Sequence, residues 1–176
     1  MEAEDLSPEE WLERERRVGE EARLSRLRWL AAQYPSVRYQ LFPGGIMPRY
    51  LFEEARYCFV YGQFLATVML GLAFVEQSLA AQFFVTGGDK MERASLSKLL
   101  DVALGEGWIS QDEHGERQRA RRNRNTVAHF RRPVHRDTLE RRSISQRELP
   151  YTLMEEDARN VLKVVFQLID RWPLSL

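Results

Sequence analysis

Apolar residues recur along most of this chain at intervals of three and four, the repeat that stacks side chains on one face of an α-helix. Leu96, Leu99, Leu100 and Ala103 predict a short helix from Ser95 to Gly105. Val161, Val164, Val165 and Leu168 predict a last helix from Glu155 to Trp172, stopped by Pro173. Between Arg49 and Val85 the apolar residues are nearly continuous, which predicts a long helix, bent or broken at Gly62 or Gly71 and ended by Thr86-Gly87-Gly88. Two helix starts carry the reciprocal Ser/Glu pattern of a capping box, Ser7 with Glu10 and Ser110 with Glu113. The first opens a helix reaching Gln33. It is sparsely apolar before Leu24, Leu27 and Leu30, so its first half should project or pack on a partner. The second runs from Gln111 to Phe130, with Pro133 as its stop. Residues 34–48, with Pro43-Gly44-Gly45 and Pro48, read as a loop. Residues 131–153 are polar, Arg-rich and without periodicity, and read as a flexible loop. No stretch alternates in the manner of a strand. The expectation is an all-α fold, a four- to five-helix bundle over residues 49–176, with an extended N-terminal helix and loop over residues 1–48 that pack on it or project from it.

Charge refines this picture. The chain is neutral overall, with 26 basic and 26 acidic residues, so nothing global selects nucleic acid or membrane. The charges are nevertheless segregated. Residues 1–23 hold nine acidic residues against four Arg, and residues 117–142 hold ten Arg against Asp137 and Glu140. The second segment is a candidate anion site, and Arg suits phosphate because its planar fork donates paired hydrogen bonds. Cys58 is the only cysteine, which excludes an internal disulfide and a Cys-based zinc site and fits a reducing compartment. With an acidic N-terminus unlike a signal peptide, the expected location is cytoplasmic. Tyr57–Val75 is uncharged over 19 residues, but Gln63, Thr67 and the adjacent Glu76 point to a buried central helix rather than a membrane span.

The candidate chemistry lies at the end of the helix opened by Ser110. On an ideal helix Ala120, Val127 and Phe130 make a narrow apolar stripe, and Arg121, Asn125 and His129, four apart, lie nearly opposite, with Arg124 between the two faces. One imidazole, one amide and two or more guanidinium groups can therefore converge. An imidazole moves protons near neutral pH, and guanidinium groups stabilise charge building on a phosphorane. In RNA the nucleophile is the substrate's own 2′-hydroxyl, so this chemistry requires neither metal nor cofactor. The plainer reading is a surface His and a solvated or ion-paired Arg cluster, with the acidic N-terminal helix as one source of partners.

Arg124-Asn125 followed by Ala128-His129 resembles the Arg-x4–6-His signature of the HEPN superfamily, including the polar residue after Arg. The setting resembles it too: a long apolar helix, the short helix of Leu96-Ser97-Lys98-Leu99-Leu100-Asp101, a turn at Gly107–Ser110, the motif near the end of the next helix, and one closing helix. The likeness covers residues 50–172. It implies a HEPN-like bundle and a metal-independent endoribonuclease, the toxin or effector of a microbial defence system, acting as a homodimer in which two motifs face one groove. By the same resemblance Arg124 would hold the scissile phosphate, Asn125 would position it, and His129 would act as general acid or base. RNA, a second copy of the chain and a cognate antitoxin protein would be its partners. Other relatives carry the motif as non-catalytic helical modules that bind RNA, nucleotide or protein, and the sequence leaves that alternative open.

Glu76 is the only charge between Arg56 and Asp89; it either pairs with Arg124 and orients it or simply emerges at the bundle surface. Arg121 and Arg122 within the helix, and Arg131 and Arg132 just past it, are candidate RNA-backbone contacts, as are Arg136, Arg141 and Arg142, against a solvated loop as the plain reading. His114 and His135 share no metal-ligand spacing with carboxylates. Tyr34, Tyr39, Phe42 and Tyr50 read as anchors of the loop to the core sooner than as base-stacking groups.

Overall fold

The computed structural model describes residues 6–33, 44–130, 132 and 135–171. Among them are eight α-helices and no strand: α1 (Pro8–Val18), α2 (Glu20–Gln33), α3 (Ile46–Val60), α4 (Phe64–Val85), α5 (Leu96–Gly105), α6 (Gln111–Ala128), α7 (Leu139–Gln146) and α8 (Pro150–Arg171), with a 3-10 turn at Asp89–Met91. The fold is all-α. Its centre is α4, packed most extensively on α3 and α8, while α5 and α6 close the remaining side. By length and composition α4 could cross a membrane; here half of its most apolar window is buried inside the fold.

The helix ends follow from local chemistry. Ser7 and Ser110 each accept from the backbone N–H three residues on, and Glu10 and Glu113 accept from the Ser N–H in return, at 2.9 and 2.7 Å. Ser95 caps α5 by accepting from the Lys98 N–H. The long apolar helix is broken at Gly62 and not at Gly71. Gly62 has φ +75°, a left-handed conformation that turns the chain from α3 into α4 and makes a helical hairpin. Gly71 serves packing: a Cβ there would lie 2.5 Å from a Val161 methyl of α8, so glycine lets the two helices approach closely.

Four other expectations are revised. The first helix is divided at Gly19, and its two parts behave differently. No residue of α1 is buried and its principal contact among the described residues is with α2, whereas α2 is clamped to the bundle. Arg26 is buried and donates to the Val60 carbonyl at 2.6 Å, and Trp29 lies 5.2 Å from Phe59 and beneath the Arg159 guanidinium at 4.8 Å. Helix α6 ends at Ala128, two residues early, and His129 has extended φ and ψ of −135° and 134°. The polar stretch read as a loop contains α7, capped by the Thr138 hydroxyl. Lastly, α8 begins at Pro150, a residue preorganised for a first turn, rather than at Glu155. Helix α7 buries none of its own residues and is held to α8 by Arg142, which donates to both oxygens of Asp157 at 2.6 and 2.8 Å. Tyr34, Tyr39 and Phe42, and most of the loop expected over residues 34–48, lie outside the described residues, as does Arg131.

Candidate functional site

The face that α6 turns to the bundle is charged. Glu113, Arg117, Ala120, Arg124 and Val127 follow the 4-3-4-3 spacing of one helical stripe, and Arg117 and Ala120 are the residues of α6 that become buried. The expected apolar stripe is therefore only partly used. Ala120 is buried, but Val127 is 42% exposed and Phe130, past the helix end, is 89% exposed. Arg124 sits on the inward stripe and not between two faces.

This placement joins Arg124 to Glu76. Its Nη1 donates to Glu76 Oε2 at 3.2 Å, with the Arg124 side chain 22% exposed and the Glu76 side chain 34% exposed. The other oxygen of Glu76 accepts from the Leu96 N–H at 3.1 Å, at the first residue of α5. One carboxylate on α4 thus satisfies a free amide at the start of α5, where the helix dipole favours negative charge, and fixes the guanidinium on α6. Arg124 Nε is enclosed without a partner, and among the described residues Glu76 is the one group the guanidinium bonds. Of the two readings of Glu76, the structure has the pair.

The other motif residues sit around this pair unevenly. Asn125 is half-buried, and its carbonyl accepts from the His129 N–H at 3.1 Å, the last turn of α6. His129 is exposed, and because its backbone is extended it does not continue the Arg121–Asn125 row. Arg121 is held back along the helix by Gln118, whose Oε1 accepts from its Nε at 2.8 Å. Arg122 faces away from Arg124, into a cleft between α6, α7 and α8. Arg132 is exposed beyond the helix, as are Arg136 and Arg141. The proposed RNA contacts therefore divide between two sides of α6, with Arg121 and Arg124 on one and Arg122 on the other.

Two polar groupings were not visible in the sequence. His114 Nε2 lies 2.8 Å from Asp101 Oδ1, and Gln118 donates to the same oxygen at 3.2 Å, so the row His114, Gln118, Arg121 is laced to α5. Arg117 is 1% exposed, with Nη2 donating to Glu113 at 3.3 Å while Nε and Nη1 are enclosed without partners. Burial pulls the Arg117 guanidinium below its usual range, against the opposing pull of Glu113. Burial alone would push Glu113 up; the Ser110 N–H and the charges of Arg117 and Arg171 outweigh it and hold that carboxyl below its usual value. In both groupings the partner comes from another helix, or burial is decided by one. Among the described residues no three His, Cys, Asp or Glu side chains converge to hold a metal ion. Comparison with protein-family models, with curated proteins and with solved structures gives no match for this chain.

Proposed function

We propose that this chain is a metal-independent endoribonuclease of HEPN type that works as a homodimer, with Arg124, Asn125 and His129 as its working residues. The observation that carries the reading is the Glu76–Arg124 pair. It anchors the Arg124 guanidinium through Nη1 near the end of the helix whose C-cap is the exposed His129, and Nη2 has no partner among the described residues. The carbonyls at the end of α6 are the negative pole of that helix and repel an anion. Phosphate affinity must come from side chains, and Arg124 with Arg121 supplies it. In the reaction a base takes the proton of the 2′-hydroxyl, the 2′-oxygen attacks phosphorus, and the bond to the 5′-oxygen breaks. An acid returns a proton to that leaving oxygen, giving a 2′,3′-cyclic phosphate and a 5′-hydroxyl. The step uses one proton acceptor and one donor, and the motif of each chain has one His, which is the chemical reason for a second copy. Leu65 and Met69 of α4, on the helical face that also carries Glu76, and Val127 and Phe130 at the end of α6, are exposed apolar residues that such a copy would cover.

The test is incubation of the purified chain with single-stranded RNA in EDTA. Cleavage to 2′,3′-cyclic ends, abolished by His129→Ala and by Arg124→Ala, is the expected result. Tight, salt-sensitive binding without turnover would instead assign the chain to the non-catalytic RNA-binding modules. The role as toxin or effector rests on the resemblance, and it is read by growth of cells expressing wild type against the Arg124→Ala, His129→Ala pair.

A further inference from the structure

We propose that α1 pairs antiparallel with α1 of a second copy of the chain. A helix of 11 residues is marginal in water by itself, and α1 gains little from packing, since none of its residues is buried. Two local devices nevertheless hold it in shape. At its start the capping box of Ser7 and Glu10 satisfies the first amides. At its end Arg23 of α2 reaches back and donates to the carbonyls of Glu15 and Arg16, with its guanidinium 5.6 Å from the centre of the Tyr61 ring. Gly19 lacks the side chain that would collide with that guanidinium. The helix is thereby latched to α2 and α3 in one direction and presented to solvent.

The presented surface is complementary to itself. On an ideal helix Trp11, Glu15 and Val18 fall within about 60° of one another, with Leu12 at their border. Trp11, Leu12 and Val18 are all more than half exposed. Along the axis the charges divide: Glu9 and Glu10 lie in the first turn, Arg16 and Arg17 in the last. Parallel copies would set like charge against like. Antiparallel copies set each acidic turn against the other's basic turn, oppose the two helix dipoles and bring the two apolar faces together. A two-fold axis through the middle of the helix repeats the match at both ends. A partner of one charge sign would meet one matching turn and one opposing turn, and an anionic bilayer would repel Glu9 and Glu10. A pair this short falls below the roughly 1,200 Å² that stable complexes bury, so exchange at micromolar protein is expected. The contact uses none of Arg124, Asn125 or His129 and none of the apolar residues on α4 and α6, so it is separate from the motif-facing dimer.

The experiment is sedimentation velocity of the full chain across the micromolar range. The exposed double variant Trp11→Glu, Val18→Glu should weaken self-association by about tenfold or more, with the thermal melt of the bundle unchanged. Glu9→Arg and Arg16→Glu should each weaken it several-fold, and the two together should restore it. Residues 9 and 16 are about 10 Å apart along one helix, too far to pair within a chain, so rescue reports contact between copies. A wild type that stays monomeric throughout overturns the proposal. Association indifferent to Trp11→Glu, Val18→Glu overturns it while leaving the motif-facing dimer standing. A double charge swap no tighter than the single variants excludes the antiparallel arrangement. Binding of wild type to phosphatidylcholine vesicles without self-association, lost in the Trp11, Val18 variant, overturns it in favour of a membrane surface.

Discussion

Replacing Glu76 should loosen two helices at once, because its two oxygens have different clients. Glu76→Ala removes the acceptor for the Leu96 N–H and the partner of Arg124. Losing the acceptor at a helix start costs about 1 kcal/mol. A charged hydrogen bond contributes roughly 1.5–3 kcal/mol. With the two side chains 34% and 22% exposed, solvent screening brings the ion pair down to about 1 kcal/mol. The sum is about 2 kcal/mol, or a fall in Tm of roughly 4–8 °C for a chain of this length. Glu76→Gln keeps an oxygen for Leu96 but loses the charge, so about half of that fall is expected. Scanning calorimetry on wild type, Glu76→Ala, Glu76→Gln, Arg124→Met and Glu76→Gln/Arg124→Met closes a double-mutant cycle, with a coupling of about 1 kcal/mol expected. Hydrogen exchange supplies the second readout: the Leu96 amide should exchange faster in Glu76→Ala and not in Glu76→Gln. Equal Tm for wild type and Glu76→Ala, or a cycle that closes at zero, would refute the argument that this carboxylate braces the site. Both measurements are independent of any catalysis.

Three further outcomes follow from the packing. Gly71→Ala should destabilise the fold by about 1–3 kcal/mol despite alanine's higher helix propensity, because the new methyl meets Val161; adding Val161→Ala should recover part of the loss in thermal melts. Asp157→Asn should free α7 without unfolding the bundle, since α7 buries no residue of its own and Arg142 loses its charged partner; faster exchange confined to residues 139–146 is the expected pattern, and uniform exchange across α8 would contradict it. Glu113 is held below its usual pKa of 4.5, so its stabilising effect is present above that pH and fades as pH falls through its lower folded value. The stability gap between wild type and Glu113→Gln should accordingly be constant from neutral pH down to about 5 and shrink below it; a gap that widens in acid would reverse the sign of this reasoning.

What the chain determines by itself is local. Helical periodicity, the Ser/Glu caps at Ser7 and Ser110, and the helix stop near Gly87 can be read from neighbours within four residues, and the all-α class follows from them. Tertiary structure decided the rest. Both Gly62 and Gly71 were open as the break, because a glycine that turns the chain and a glycine that admits a neighbouring helix look alike until Tyr151 and Val161 are in place. Helix α7 has too little apolar surface to declare itself, and its main tie is an ion pair to α8. The inward face of α6 was least legible of all. A stripe reading Glu113, Arg117, Ala120, Arg124 carries the spacing of a buried face but not its polarity, and its burial depends on carboxylates and packing supplied from elsewhere, Glu76 on α4 foremost. Charge pairs across 48 residues obey distance in space, and a one-dimensional pattern holds no record of that distance.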